Sequence, residues 1–256
     1  MGGGYPGPRR GTHRRTTVSD VPVRAGSELR RLLGGRLLGR APGVQDAVPL
    51  VRTLVDDGCR VGLEHLSGPG ENLEAALSAL VQQVHAAGLA TECELTLPVD
   101  RLGVPGTLRV GRDAAQAGLG VALDGPAPDV DGVDLPAARI VVRAGEDAAE
   151  DRCRALARGR VRLVPGPFAP AHRAVADLAF VRCLNVLMAE EGRPGIAVSD
   201  PRLIAIAGER AAWNGRSPDS WELVMPYGVL THERQRLVAA GDTVRVTVRQ
   251  VSGGRS

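Results

Sequence analysis

Lysine is absent from the 256 residues, and all 32 basic residues are arginine. Schiff-base chemistry through a lysine amine is therefore closed to this chain. Aromatic residues make up 2%. That leaves Leu, Val and Ala to build the core, and it argues against base stacking on nucleic acid as a main function. The four cysteines, Cys59, Cys93, Cys153 and Cys183, stand singly. No pair has metal-ligand spacing, no metal site is expected, and no disulfide framework is implied. Buried thiols in a reducing cytoplasm are the expected state. No apolar run reaches the length of a membrane span. Residues 1–17 carry Arg and Gly with no apolar stretch behind them, so they do not read as a secretory signal. No Gly-x-Gly-x-x-Gly links a strand to a helix, which removes a nicotinamide-binding Rossmann site. Ser67 and Ser199 lack the flanking glycines of a nucleophile elbow. The histidines form no metal-ligand motif; His65, on the first expected strand, reads as a packed or surface residue.

What is present points to an α/β chain. The apolar share is 43%, enough for a packed core, and the length suits one (β/α)8 barrel of roughly 250 residues. Net charge is +3. Part of the excess lies in Arg9, Arg10, Arg14 and Arg15. Residues 1–25 are rich in Gly, Pro and Arg with little to bury, and are expected to be a disordered tail. A solvated basic tail and a weak contact with nucleic acid or a membrane surface are both open for it. Residues 26–256 read as a single domain.

Within that domain strands and helices alternate. Arg60–Leu66 reads as a strand. Asn72–Ala87 reads as a helix, with Leu73, Leu77, Leu80, Val81 and Val84 on one face. Further strands are expected at 92–97, 121–124, 139–142, 160–164, 195–198, 220–226 and 243–248. Helices are expected at 108–117, 147–158, 170–190, 201–213 and 231–240. Asp200-Pro201 opens one of these as N-cap and first helical residue. The link 125–138 holds Pro126, Pro128 and Pro136, so no regular helix is expected there. Only eight residues follow Val248, too few for a final barrel helix. On the last strand Val244, Val246 and Val248 share one face and Arg245 and Thr247 the other. With no helix to cover them, the three valines are expected to form an exposed apolar wall that favours self-association or a partner chain.

Four collinear runs resemble the proline dehydrogenase family, flavin-dependent (β/α)8 barrels. Leu63-Glu64-His65-Leu66 resembles the family's Leu-Asp-His-Leu. Arg160-Val161-Arg162-Leu163-Val164-Pro165-Gly166-Pro167-Phe168 resembles Val-Arg-Leu-Val-Lys-Gly-Ala-Tyr. Ala197-Val198-Ser199-Asp200-Pro201-Arg202-Leu203-Ile204 resembles Ala-Thr-His-Asp-Pro-Arg-Leu-Ile. Trp221 to Gly228 resembles Phe-Glu-Phe-Gln-Met-Leu-Tyr-Gly. The resemblance implies FAD over the C-terminal mouth of the barrel, taking a hydride from L-proline to give pyrroline-5-carboxylate. By the same resemblance Arg162 would sit near the flavin N5, Gly166 would let backbone approach the cofactor, and Asp124 would be the acidic residue ending the third strand. Phe168 and Tyr227 would line the substrate. Read without the family, Arg162 is rather a structural arginine at a strand end, paired with a carboxylate such as Asp200.

The departures from the family are several. Its lysines fall at Pro98 and Pro165, and its Thr-His pair at Val198-Ser199. Its fourth-strand Gln falls near Val142-Arg143, and its strand-eight Tyr at Thr247. The expected fold is thus a (β/α)8 barrel lacking the helix after the third strand and the final helix. The expected function is the family's FAD-linked proline oxidation in impaired form. Two alternatives stand beside it: a non-catalytic barrel that serves as a partner or binding protein, and a barrel that keeps some flavin or anion binding for another small substrate.

Overall fold

The computed structural model describes residues 1–2, 46–68, 70–166 and 172–251. Residues 3–25 of the expected tail and Phe168 lie outside these residues.

Eight parallel strands close into a barrel in chain order. They are β1 Arg60–Leu66, β2 Cys93–Pro98, β3 Gly120–Asp124, β4 Arg139–Arg143, β5 Val161–Val164, β6 Gly195–Ala197, β7 Glu222–Pro226 and β8 Val244–Val251. Helix α1, Val48–Asp56, precedes β1. The seven crossovers carry α2 Leu73–Ala86, α3 Val99–Gln116, α4 Ala127–Asp131, α5 Ala149–Leu156, α6 Arg173–Ala189, α7 Pro201–Trp213 and α8 Thr231–Ala239. The ring closes where β8 pairs with β1, from Arg60 opposite Arg245 to Leu66 opposite Val251.

Local signals explain most boundaries. Asn72 caps α2 by accepting from the Ala75 N–H at 3.1 Å. Asp200 caps α7 by accepting from the Arg202 N–H at 2.9 Å, with Pro201 at the first helical position. Both caps satisfy donors that a helix start leaves open. Helix α3 begins nine residues earlier than the sequence suggests, at Val99 rather than Leu108. It is interrupted at Gly103, whose φ of 67° is one that glycine tolerates and L side chains resist. Pro105 then falls in the first turn of the continuing segment, where its missing N–H costs little.

Two expectations are corrected. The third crossover is not without a helix: α4 forms over five residues. Pro128 sits in its first turn, where proline fits, and the other prolines bound the turn rather than interrupt it. The three valines of β8 are not an exposed wall either. Val244, Val246 and Val248 are each 1% exposed. Val246 and Val248 join one hydrophobic cluster with Ala47, Val51 and Leu54, from the start of α1 and its inner face. Val244 joins a second cluster with Leu237 of α8. The wall that was expected to lie bare for want of a following helix is thus packed into two apolar clusters, one of them shared with the helix before β1. Burial of each valine contributes about 1.5–3 kcal/mol relative to exposure.

The strands have two unlike faces. Outward residues such as Val61, Leu63, Leu95, Leu97, Leu123, Leu163, Ile196 and Leu223 pack under the helices in those two clusters. Period-two alternation therefore turns Gly62, Glu94, Arg139, Arg162, Gly195, Glu222 and Arg245 into the barrel. All four cysteines are buried free thiols. Among the described residues no helix is long and apolar enough to cross a membrane.

Candidate active site at the C-terminal mouth of the barrel

The interior holds two separate sets of charges, one deep and one at the mouth. The deep set is buried throughout: Glu94, Arg139, Arg162, Glu222 and Arg245 are each under 5% exposed. Arg139 bridges the two carboxylates, with Nε donating to Glu94 Oε2 at 2.9 Å and Nη2 lying 2.9 Å from Glu222 Oε1. Arg245 grips Glu222 with two bonds, Nε at 2.8 Å and Nη2 at 3.1 Å, and gives Nη1 to the Val61 carbonyl at 2.9 Å. Arg162 Nη2 donates to Glu94 Oε1, and its Nη1 donates to Thr96 Oγ1 at 3.1 Å. Burial pushes the Glu94 carboxyl up, but Arg139, Arg245 and Arg162 outweigh it and hold the group far below the usual carboxylate range. Glu222 is likewise held down, burial being outweighed by Arg245 and Arg139. Gly195 makes room for this set: a Cβ there would lie 2.9 Å from Arg139 Nη1.

The mouth carries a second, half-open set at the C-terminal ends of the strands. Arg143 of β4 donates to Asp124 of β3 at 2.7 Å. Arg249 of β8 donates to Glu64 of β1 at 2.9 Å. Burial disfavours the charged Arg143, yet Asp124, with smaller help from Glu146 and Glu64, keeps its pKa above the ordinary value. Glu64 thus pairs with Arg249 and acts only weakly on Arg143. Beside it, Arg173, Ser199, Asp200, Pro201 and Arg202 line an open depression. Hydrogen bonds from Arg202 hold the Asp200 carboxyl down at about 2.

The sequence-derived residues distribute as follows. Asp124 is at the mouth, paired with Arg143. Gly166 is buried just after β5. Tyr227 is half-buried just after β7, where its N–H donates to the Thr247 carbonyl at 2.9 Å. Arg162 lies in the deep set, and its carboxylate partner is Glu94 rather than Asp200. Asp200 is instead used by Arg173, Arg202 and the start of α7. His65 is packed, its Nε2 3.0 Å from Glu71 Oε1. Sequence reasoning missed Glu94, Glu222, Arg139, Arg245, Glu64 as a charge, and Arg249. A signal was available on β1, β2 and β8, where a charged residue sits two positions from another polar or small one, the pattern of a strand with a polar inner face; on β4 and β7 valine stands at that spacing and the signal is missing.

The four family-like runs lie on β1, on β5, at the β6–α7 junction and on β7, and all end at this one mouth. The residues present do not fit a flavin as the resemblance implies. The guanidinium that would face N5 is engaged by Glu94 and Thr96 and is only 3% exposed.

No family model and no curated protein matches the chain. Solved structures do share its fold. Proline utilization A (PutA) from Bdellovibrio bacteriovorus, inactivated by N-propargylglycine, superposes with a TM-score of 0.69 at 15% identity, over 90% of this chain and 32% of that one. A bifunctional proline utilization A (PutA) protein superposes with a TM-score of 0.53 at 15% identity, over 75% of this chain and 26% of that one. This chain thus spans about a third or less of those proteins, and at such identity what is shared is the α/β barrel fold.

Proposed function

We propose that this chain is a proline dehydrogenase-like protein. The family's reaction is FAD-linked oxidation of L-proline to pyrroline-5-carboxylate, and here that reaction is impaired. The observation that carries the reading is the convergence of the four family-like runs on one mouth, in a barrel that superposes on proline utilization A over 90% of its length. In this reading the ligand is a small zwitterion at the mouth. Its carboxylate would meet Arg143 or Arg249, and its ammonium Asp124 or Glu64. Tyr227 and Phe168 would supply apolar contact, and the backbone at Gly166 would allow close approach. Each charge-assisted hydrogen bond formed there contributes about 1.5–3 kcal/mol before desolvation. Arg143 and Asp124 already satisfy each other, so a ligand must displace that pair, which lowers affinity.

The support for impairment is the placement of Arg162. An arginine whose two terminal nitrogens are held by Glu94 and Thr96 does not stabilise charge developing at the mouth. The residues that hold the flavin in the family are replaced here at Val198-Ser199, Pro98 and Pro165. A second reading, a non-catalytic barrel that binds a partner or small ligand, rests on the same sequestration of Arg162.

The deciding experiment is a flavin absorbance spectrum after gel filtration, joined to dye reduction with L-proline and calorimetric titration of L-proline. The proposal expects substoichiometric flavin, dye reduction near background, and measurable proline binding that Asp124→Asn weakens. Stoichiometric flavin with rapid proline-dependent dye reduction would show that the reaction is intact. Neither flavin nor proline binding would leave the non-catalytic reading.

A further inference from the structure

At the opposite, N-terminal end of the barrel the charges do not balance. Seven charged side chains meet there. Five are arginines, Arg60, Arg139, Arg160, Arg162 and Arg245, and two are glutamates, Glu94 and Glu222. Both carboxylates are already shared among several guanidiniums. Arg160 Nη2 reaches Glu94 Oε2 at a long 3.4 Å, and Arg60 Nη1 lies 3.6 Å from Glu222 Oε2. Since Arg139 bridges the two glutamates, Arg60 and Arg160 flank the same central pair from β1 and from the residue before β5. Their side chains are 45% and 40% exposed, open to water at the rim.

Two further observations point the same way. The Nε groups of Arg160 and Arg162 are buried without a hydrogen-bond partner, a costly state for a charged donor. Burial, and then repulsion from Arg139, pull the Arg160 pKa below its ordinary value, against the opposing effect of Glu94. The surrounding face adds more positive charge. Arg216, in the loop before β7, bonds to the carbonyls of Glu190, Gly192 and Ser220 and to Ser220 Oγ, and to no carboxylate among the described residues. Asp219 is an acid that opposes this locally; hydrogen bonding to Ser217 is the main influence on it, with Arg193 and Arg60 acting at longer range.

We infer that the N-terminal opening of the barrel is an oxyanion-binding site, with Arg60 and Arg160 as its ligating residues and a phosphate group as the ligand chemistry. A guanidinium fork matches a tetrahedral oxyanion, and a dianion would offset most of the surplus charge at the rim. This site lies at the end of the barrel away from the mouth where βα-loops carry catalysis, and it does not depend on the proline reading. The phosphate could be the free ion or the terminal group of a metabolite.

The test is isothermal titration calorimetry of the full chain at constant ionic strength, with inorganic phosphate in one arm and glucose 6-phosphate in the other. We expect one saturable site. Arg60→Gln and Arg160→Gln should each weaken it at least tenfold, while Arg236→Gln on the outer surface leaves it unchanged. Tighter binding of inorganic phosphate assigns the free ion, and tighter binding of the ester assigns a metabolite phosphate. Circular dichroism checks the fold of each variant; should one fail to fold, the other decides. The absence of saturable heat with either probe overturns the site, as does wild-type affinity in the folded rim variants.

Discussion

The deep charges and the mouth charges are the same chemistry in two solvents. Both are arginine–carboxylate networks on the inner faces of the strands. Deep in the barrel, Glu94 and Glu222 are sealed from water, and each touches more than one guanidinium. At the mouth, Asp124–Arg143 and Glu64–Arg249 keep about 20–30% of their side-chain surface in contact with solvent. A buried ion set is costly to assemble and more costly to break, because removal of one partner strands the rest. A solvated pair is worth little and can be opened. The deep set is therefore suited to fixing the barrel, and the mouth set to exchanging a partner for a ligand.

The largest expected effect breaks the deep set. Glu94→Gln leaves Arg139, Arg162 and Arg245 with Glu222 as their one buried carboxylate, and should cost about 3–5 kcal/mol in urea unfolding. A loss below about 1 kcal/mol would mean that water already relieves the interior.

Acid should act through the same groups. The folded pKa values of Glu94 and Glu222 are depressed. Their contribution is thus present above the unfolded value of about 4.3 and is lost as pH falls below it toward the folded values. The urea midpoint should drop steeply below about pH 4 in the wild type and less steeply in Glu94→Gln. Equal slopes would place the acid sensitivity elsewhere.

At the mouth the effects shrink. Asp200→Ala removes the cap of α7 and the partner of Arg202, and should cost about 1 kcal/mol by the same measurement. Asp124→Asn should cost less than about 1 kcal/mol in stability, while weakening proline binding in calorimetry. A stability loss as large as that of Glu94→Gln would erase the distinction between the two sets.

Much of the barrel is legible in the sequence. Strand β1 falls at Arg60–Leu66 as its pattern indicates, and α7 starts at Asp200-Pro201 because a cap and a proline leave the backbone little choice. The candidate site was legible as a place, the strand ends, through the four family-like runs. It was not legible as a set of partners. Arg162 could be assigned to the inside of a strand, but Glu94 and Thr96 lie more than sixty residues away in the chain, and only ring closure brings them within bonding distance.

Composition and local pattern alone determined that every cation in the barrel is a guanidinium, that the core is aliphatic, and that strands alternate with helices. Tertiary structure decided what covers what. The valines of β8 are expected from local pattern alone to form an exposed wall. They are buried: with β8 closed on β1, Val246 and Val248 join one apolar cluster with α1, and Val244 joins another with Leu237 of α8. Periodicity tells which face of a strand is apolar, since that depends on neighbours two residues away. Which distant helix or charge meets that face depends on the register of the closed ring, and no local pattern encodes it.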